Sequence, residues 1–194
     1  MLIWCTPLSA DIGELPEALN GAFSIDSFEI GEATLADIQA YLGLAALKRT
    51  ADGLAVSICY SQRAPATIKV TFESSVLGGL ERLTAIELTT KVADDECAQP
   101  KNSIATLRLG RGISLSQTRK QFEESLPLKF DAAGLILTYS GDFKRHASQA
   151  ETERIRARYP KLSGEVMFDI SVDIEAAFMN GRLYRYRISR LESF

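Results

Sequence analysis

The chain has 194 residues, 46% apolar and 24% charged, which is enough to bury a sizeable core without help from a metal or a staple. No run of about 18 apolar residues offers a membrane-spanning helix, no heptad series is long enough for a coiled coil, and the composition is not that of a disordered chain. The net charge of −3 argues against a dedicated nucleic-acid binder, and it hides a division: residues 1–99 hold 6 Lys and Arg against 14 Asp and Glu, while residues 100–194 hold 16 against 11. Oppositely charged halves attract each other, and a basic half can also steer a partner.

Met1–Cys5 is too short for a secretion signal and lacks its basic start. Phe28-Glu29-Ile30 reads as a short alternating strand ending at Gly31. Thr34 is placed to cap a helix with Asp37 at its third position, and Leu35, Ile38, Leu42 and Ala45 share one face until the helix ends near Gly43. An Asp52-Gly53 turn then leads into strands at 54–60, 66–73 and 82–90. Val76-Leu77-Gly78-Gly79-Leu80 reads as a tight connection, with a backbone anion nest as the sharper reading.

The second half opens on another alternating run, Leu107-Arg108-Leu109-Gly110. Ser114 and Gln117 form a capping-box signature for a helix whose face carries Leu115, Thr118, Phe122 and Leu126, and Pro127 ends it. Strands follow at 134–140, 164–172 and 182–190, the last behind an Asn180-Gly181 hairpin signal. Between them, in the added segment 144–161, Ala147–Tyr159 predicts a helix with Ile155 and Tyr159 toward the body and Pro160 as its stop.

Laid against itself, the chain repeats in order. Cys59-Tyr60-Ser61 is answered by Thr138-Tyr139-Ser140 at an offset of 79, Val70–Glu73 by Val166–Asp169 at 96, and Arg82-Leu83 by Arg182-Leu183 at 100. The expectation is an α+β protein of two related units, 1–99 and 100–194, each a helix plus an antiparallel meander, joined in a pseudo-symmetric sheet with helices on one face. The second unit carries the added helical segment at 144–161.

The motif Gly31-x-x-Thr34-x-x-x-Ile38-x-x-x-Leu42-Gly43, preceded by a strand and followed by a meander, resembles the helix motif of the BamE/SmpA-like outer-membrane assembly lipoproteins and of the related tandem-repeat β-lactamase inhibitor proteins. Gly112-x-Ser114-x-x-x-Thr118-x-x-x-Phe122 offers a second copy, with Glu123 where the closing glycine is usual. The resemblance covers roughly residues 24–90 and 104–190 and implies a protein-binding sheet and loops in the periplasm or outside the cell. It implies no catalytic residue.

Three cysteines, Cys5, Cys59 and Cys97, lack the spacing of a zinc site, and one histidine cannot complete a metal centre, so no metal and no cofactor is assigned. Cys59 and Cys97 are a candidate disulfide, which an oxidising compartment would permit; two unrelated thiols are the other reading. His146 has no nucleophile motif nearby. Asp169, Asp173 and Glu175 raise the alternative of a small hydrolase with an acidic site, although alternation equally makes Asp169 and Asp173 part of a solvated strand face.

In the last strand, Tyr184, Tyr186 and Ile188 fall on one side and Arg185 and Arg187 on the other. Tyr184, Arg185 and Arg187, with Arg154 and Arg158 of the added helix, are the candidate protein-binding residues. The function expected is a noncatalytic binding module that recognises a protein or cell-envelope component, periplasmic or secreted. The alternatives are the hydrolase, a purely structural envelope protein and a cytoplasmic location.

Overall fold

A computed structural model describes residues 14–50, 52–64, 67–75, 82–91, 96–105 and 107–194. The readings of Met1–Cys5 and Val76–Leu80 lie outside them. In chain order the elements are strands β1 (Ser24–Ile25) and β2 (Phe28–Glu29), helix α1 (Leu35–Leu42), strands β3 (Lys48–Arg49), β4 (Ala55–Gln62), β5 (Ile68–Ser75) and β6 (Ala85–Thr89), and helix α2 (Arg119–Ser125). Then come β7 (Asp131–Ala133), β8 (Ile136–His146), helix α3 (Gln149–Arg158), β9 (Met167–Met179) and β10 (Arg182–Ser193).

β1 and β2 form a small hairpin, while the other eight strands make one open antiparallel sheet in the order β3-β4-β5-β6-β10-β9-β8-β7. The two meanders therefore meet through β6 and β10, with Ile86 opposite Ile188 and Leu88 opposite Tyr186. The fold is α+β, as the alternating and helical periods predict.

Strand alternation sorts the side chains. Tyr60, Val70, Phe72, Ile86, Ile174, Tyr186 and Ile188 are buried in a single core cluster with Ile38 and Leu42 of α1 and Phe122 of α2. Phe122 sits at its aromatic centre, with ring centroids of Phe178, Tyr186 and Phe130 at 5.9, 5.8 and 5.5 Å. We call this side of the sheet the inner face. The outer face carries Glu73, Glu87, Asp173, Arg185 and Arg187 on the intervening positions.

The two helix starts are tied to the sheet by matching bonds. The Gly31 N–H donates to Leu83 O and the Leu83 N–H to Ala33 O, at 2.8 and 2.7 Å. In the second half the Ser116 N–H donates to Leu183 O and the Leu183 N–H to Gln117 O, at 2.7 and 2.8 Å. Arg82 and Arg182 each donate from Nη1 to the carbonyl at the turn, Gly31 and Ser116 respectively, both at 3.1 Å. Both turn residues have positive φ, 91° at Gly31 and 76° at Ser116, a conformation glycine adopts without strain and serine does not.

The second helix begins later than the sequence predicts. Thr118, not Ser114, is the N-cap, and Gln121 closes the capping box, as Asp37 does for Thr34. The Ser114 N–H still donates to Gln117 Oε1 at 3.1 Å, so the earlier signature makes a local turn ahead of the helix. The match of Val70–Glu73 to Val166–Asp169 is also out of register. Phe72 stands between Ile58 and Ile86 in mid-sheet, whereas Phe168 lies opposite Arg145, far along β8. β8, β9 and β10 all outrun their predicted spans, reaching His146, Met179 and Ser193.

The connection between the meanders is stitched down. Ala98 bridges Tyr60 along the open edge of β4, and Lys101 donates its N–H to Leu42 O at 2.7 Å. Cys59 and Cys97 flank this bridge at disulfide distance, with Sγ–Sγ 2.12 Å and Cα–Cα 5.0 Å. Farther on, Gly110 passes so close to Gly21 that a Cβ there would sit 1.7 Å from the Gly21 carbonyl oxygen, so no larger residue fits.

Candidate functional site

The sequence-derived candidates divide between opposite sides of the sheet. Arg185 and Arg187 lie on the outer face at the seam between the meanders. Arg187 pairs with Glu73 at 3.2 Å, and Arg185 with Glu87 at 3.1 Å and Glu175 at 3.0 Å. Two of these pairs join the basic second half to the acidic first half, which gives the charge division a structural use. They are partly exposed ladder pairs, worth a fraction of a kcal/mol to about 1 kcal/mol each.

Tyr184 departs from the row predicted for it. A register shift between Leu183 and Arg185 makes it the extra residue of a bulge, so Leu183 and Tyr186 are buried while Tyr184 is half-exposed. The Lys91 ammonium lies 4.6 Å from its ring centroid. Tyr186, by contrast, is fully buried, its hydroxyl has no hydrogen-bond partner among the described residues, and burial pushes its phenol pKa far up.

Asp169, Asp173 and Glu175 line the outer side of β9, each with its own partner. Lys144 is 3.4 Å from Asp169, Ser140 Oγ donates to Asp173 at 2.6 Å, and Glu175 pairs with Arg185. His146 Nδ1 lies 2.8 Å from Glu165, both on the surface. Among the described residues no group of three His, Cys, Asp or Glu is arranged to hold a metal ion. None of their helices is long and apolar enough to cross a membrane.

Arg154 and Arg158 stand on α3, on the inner side. The positions of β10 that bury Tyr186 and Ile188 continue into Arg190 and Glu192, and those of β8 and β9 into Arg145 and Phe168. Arg145 is the hub of this extension. Its Nη1 and Nη2 donate to the two Glu151 oxygens at 2.9 and 2.8 Å, and Nη2 also reaches Glu192 at 2.6 Å. Its guanidinium lies 4.3 Å from the Phe168 ring centroid, and Arg190 also bonds Glu192.

The bonds from Arg145 hold the Glu151 carboxyl down to about 2. Burial works to raise Glu192, and the Arg145 and Arg190 bonds outweigh it, leaving its pKa lowered. Glu151 is also the third residue of α3, where it completes a capping box with Ser148. One carboxylate thus starts the helix and fastens it to the sheet. α3 has no buried residue: Ile155 is half-buried, and Tyr159, 46% exposed, meets the body through the Phe194 ring at 5.7 Å.

Between α3, the end of β10 and the turn at Gly31 runs a cleft of about 330 Å³, lined by Arg82, Arg154, Arg158 and Arg190 together with Tyr159, Phe168 and Phe194. A second chamber of about 430 Å³ adjoins it, sharing Arg82, Arg154, Arg190, Glu151 and Glu192 and adding Glu29, Glu32 and Arg145. Sequence reasoning singled out Arg154 and Arg158 but missed Arg82, Arg145, Arg190 and Glu192, whose contacts join distant parts of the chain. No family model matches this chain, and no curated protein and no solved structure matches it.

Proposed function

We propose that this chain is a noncatalytic binding module of the periplasm or the secreted space that recognises a protein or cell-envelope component with the outer face of its sheet. The observation that carries this reading is the one-sidedness of the fold. α1, α2 and α3 all serve the inner face, and no helix of the described residues covers the outer one. That leaves an expanse of Ser, Thr, Asp, Glu and Arg on five adjoining strands, with Thr138, Ser140, Asp142, Ser171 and Asp173 exposed. Rigid sheets of this kind present a surface without the entropy cost of ordering a loop.

The close Cys59–Cys97 pair supports an oxidising compartment. The matched bonds at the two helix starts support two related units joined pseudo-symmetrically, and with them the resemblance to the BamE/SmpA-like and tandem-repeat inhibitor proteins. The carboxylates of β9 are each engaged along an open strand, which favours a solvated recognition face over an acidic hydrolase site.

Photo-crosslinking residues placed at Thr138 and Ser171 on the outer face, and at Lys120 and Glu124 on the exposed side of α2, test the reading in the native envelope. Discrete adducts from the first pair alone are expected. Adducts from α2 only, or from neither pair, would overturn it.

A further inference from the structure

The cleft under α3 lies on the other side of the sheet and has a chemistry of its own. Its charges do not cancel. Glu151 and Glu192, the carboxylates lining it, are already bonded by Arg145, and Glu192 by Arg190 as well. The remaining guanidinium groups pair with no carboxylate of the described residues. Among the described residues Arg154 donates to the Ala150 carbonyl at 3.4 Å, Arg82 to the Gly31 carbonyl, and Arg158 rests over the neighbouring Tyr159 ring. Among the described residues three cations therefore face one cavity without a carboxylate partner, two on α3 and one beside the turn at Gly31.

The cleft also has an apolar lining. Phe194 stacks edge-to-face on both Tyr159 and Phe168, with centroids 5.7 and 6.0 Å apart, and Ile155 adds to the same side. Glu29 and Glu32 line the adjoining chamber and not this cleft, while the two spaces share Arg82, Arg154 and Arg190. A volume of about 330 Å³ lies at the lower end of the range for small-ligand pockets.

We propose that this cleft binds a small amphipathic anion, a carboxylate or phosphate monoester attached to an aromatic or short apolar body. The anionic group lies between Arg154, Arg158 and Arg82, where guanidinium forks suit its oxygens, and the apolar body lies against Tyr159, Phe168 and Phe194. The site uses the segment by which the second unit outgrows the first, and it does not depend on the outer face binding anything.

Calorimetric titration of the full chain with naphthoate, naphthyl phosphate, inorganic phosphate and neutral naphthol tests this. Saturable single-site binding is expected for naphthoate or naphthyl phosphate, at least about tenfold tighter than for phosphate or naphthol. The double variant Arg154→Gln/Arg158→Gln should weaken that binding at least about tenfold while keeping the thermal midpoint, since neither side chain holds a carboxylate; Arg119→Gln on α2 should change nothing. Absence of saturable binding, equal affinity for naphthol or for phosphate alone, or unchanged affinity in the double variant would each overturn the proposal.

Discussion

Two stretches of one strand face, Tyr186–Ile188 and Arg190–Glu192 of β10, solve the same problem in different ways. The first is sealed by apolar side chains that α1 and α2 bury: Tyr186 and Ile188 are fully buried and belong to the core with Phe122, Ile38 and Leu42. The second is sealed by α3, a polar helix with no buried residue, through Arg145, Glu151 and Glu192. Apolar burial is insensitive to direction and supplies most of the stability. Ion pairs supply less but fix orientation, and they leave donors near water, so the charged end of the face is where a cleft survives.

Removing the centre of the apolar end should have the largest effect. Phe122→Ala opens a cavity among Phe130, Phe178 and Tyr186 and should cost about 3–5 kcal/mol in denaturant unfolding. A loss below 1 kcal/mol would mean that Phe122 is not the packed centre of this aromatic cluster.

The two buried tyrosines sharpen the contrast within the apolar end. Tyr60 donates its hydroxyl to Gly43 O at 2.5 Å, whereas the Tyr186 hydroxyl has no partner among the described residues. Tyr60→Phe should cost about 1–2 kcal/mol, and Tyr186→Phe should be neutral or stabilising, in the same unfolding assay.

At the charged end the reading is pH. Glu151 titrates at about 2 in the fold against 4.5 ordinarily, so its contribution is fully present above about pH 4.5 and is lost as pH falls toward 2. Glu151→Gln keeps a capping side chain but removes the charge. It should cost about 1 kcal/mol at neutral pH, the worth of a well-formed bidentate pair near the surface, and the difference from the parent should vanish by about pH 2. Amide exchange should show the loss confined to α3.

The smallest change compares the two helix starts. Ser116 occupies the positive-φ place that Gly31 fills in the first unit. Ser116→Gly should raise stability by about 0.5 kcal/mol, and Gly31→Ser should lower it by a similar amount, both read as thermal shifts.

Much of this architecture is legible in the residues. The Thr34–Asp37 cap and the six long strands follow from short-range chemistry and alternation, whereas the residues leave Cys59 and Cys97 open between a pair and two unrelated thiols. What escapes reading depends on distance or on competition between equal signals. Ser114–Gln117 and Thr118–Gln121 satisfy the same capping pattern four residues apart, and the backbone bonds from Ser116 and Leu183 decide between them. The bulge at Tyr184 breaks an alternation that looks regular in the sequence. The hub at Arg145 joins Glu192, 47 residues away, and no local pattern announces it. For the site, Arg154 and Arg158 were visible as an unbalanced helix; the walls that turn them into a cleft were not.

In the proposed function the inner face holds the protein together while the outer face recognises a partner. The direct test places Arg at Thr138 and Thr71, on β8 and β5 of the outer face, and measures both the thermal midpoint and capture of the cross-linked partner. The account predicts a midpoint within a few degrees of the parent and at least about tenfold weaker capture, with Lys120→Glu on α2 leaving both unchanged. Undiminished capture by the folded double variant would contradict it.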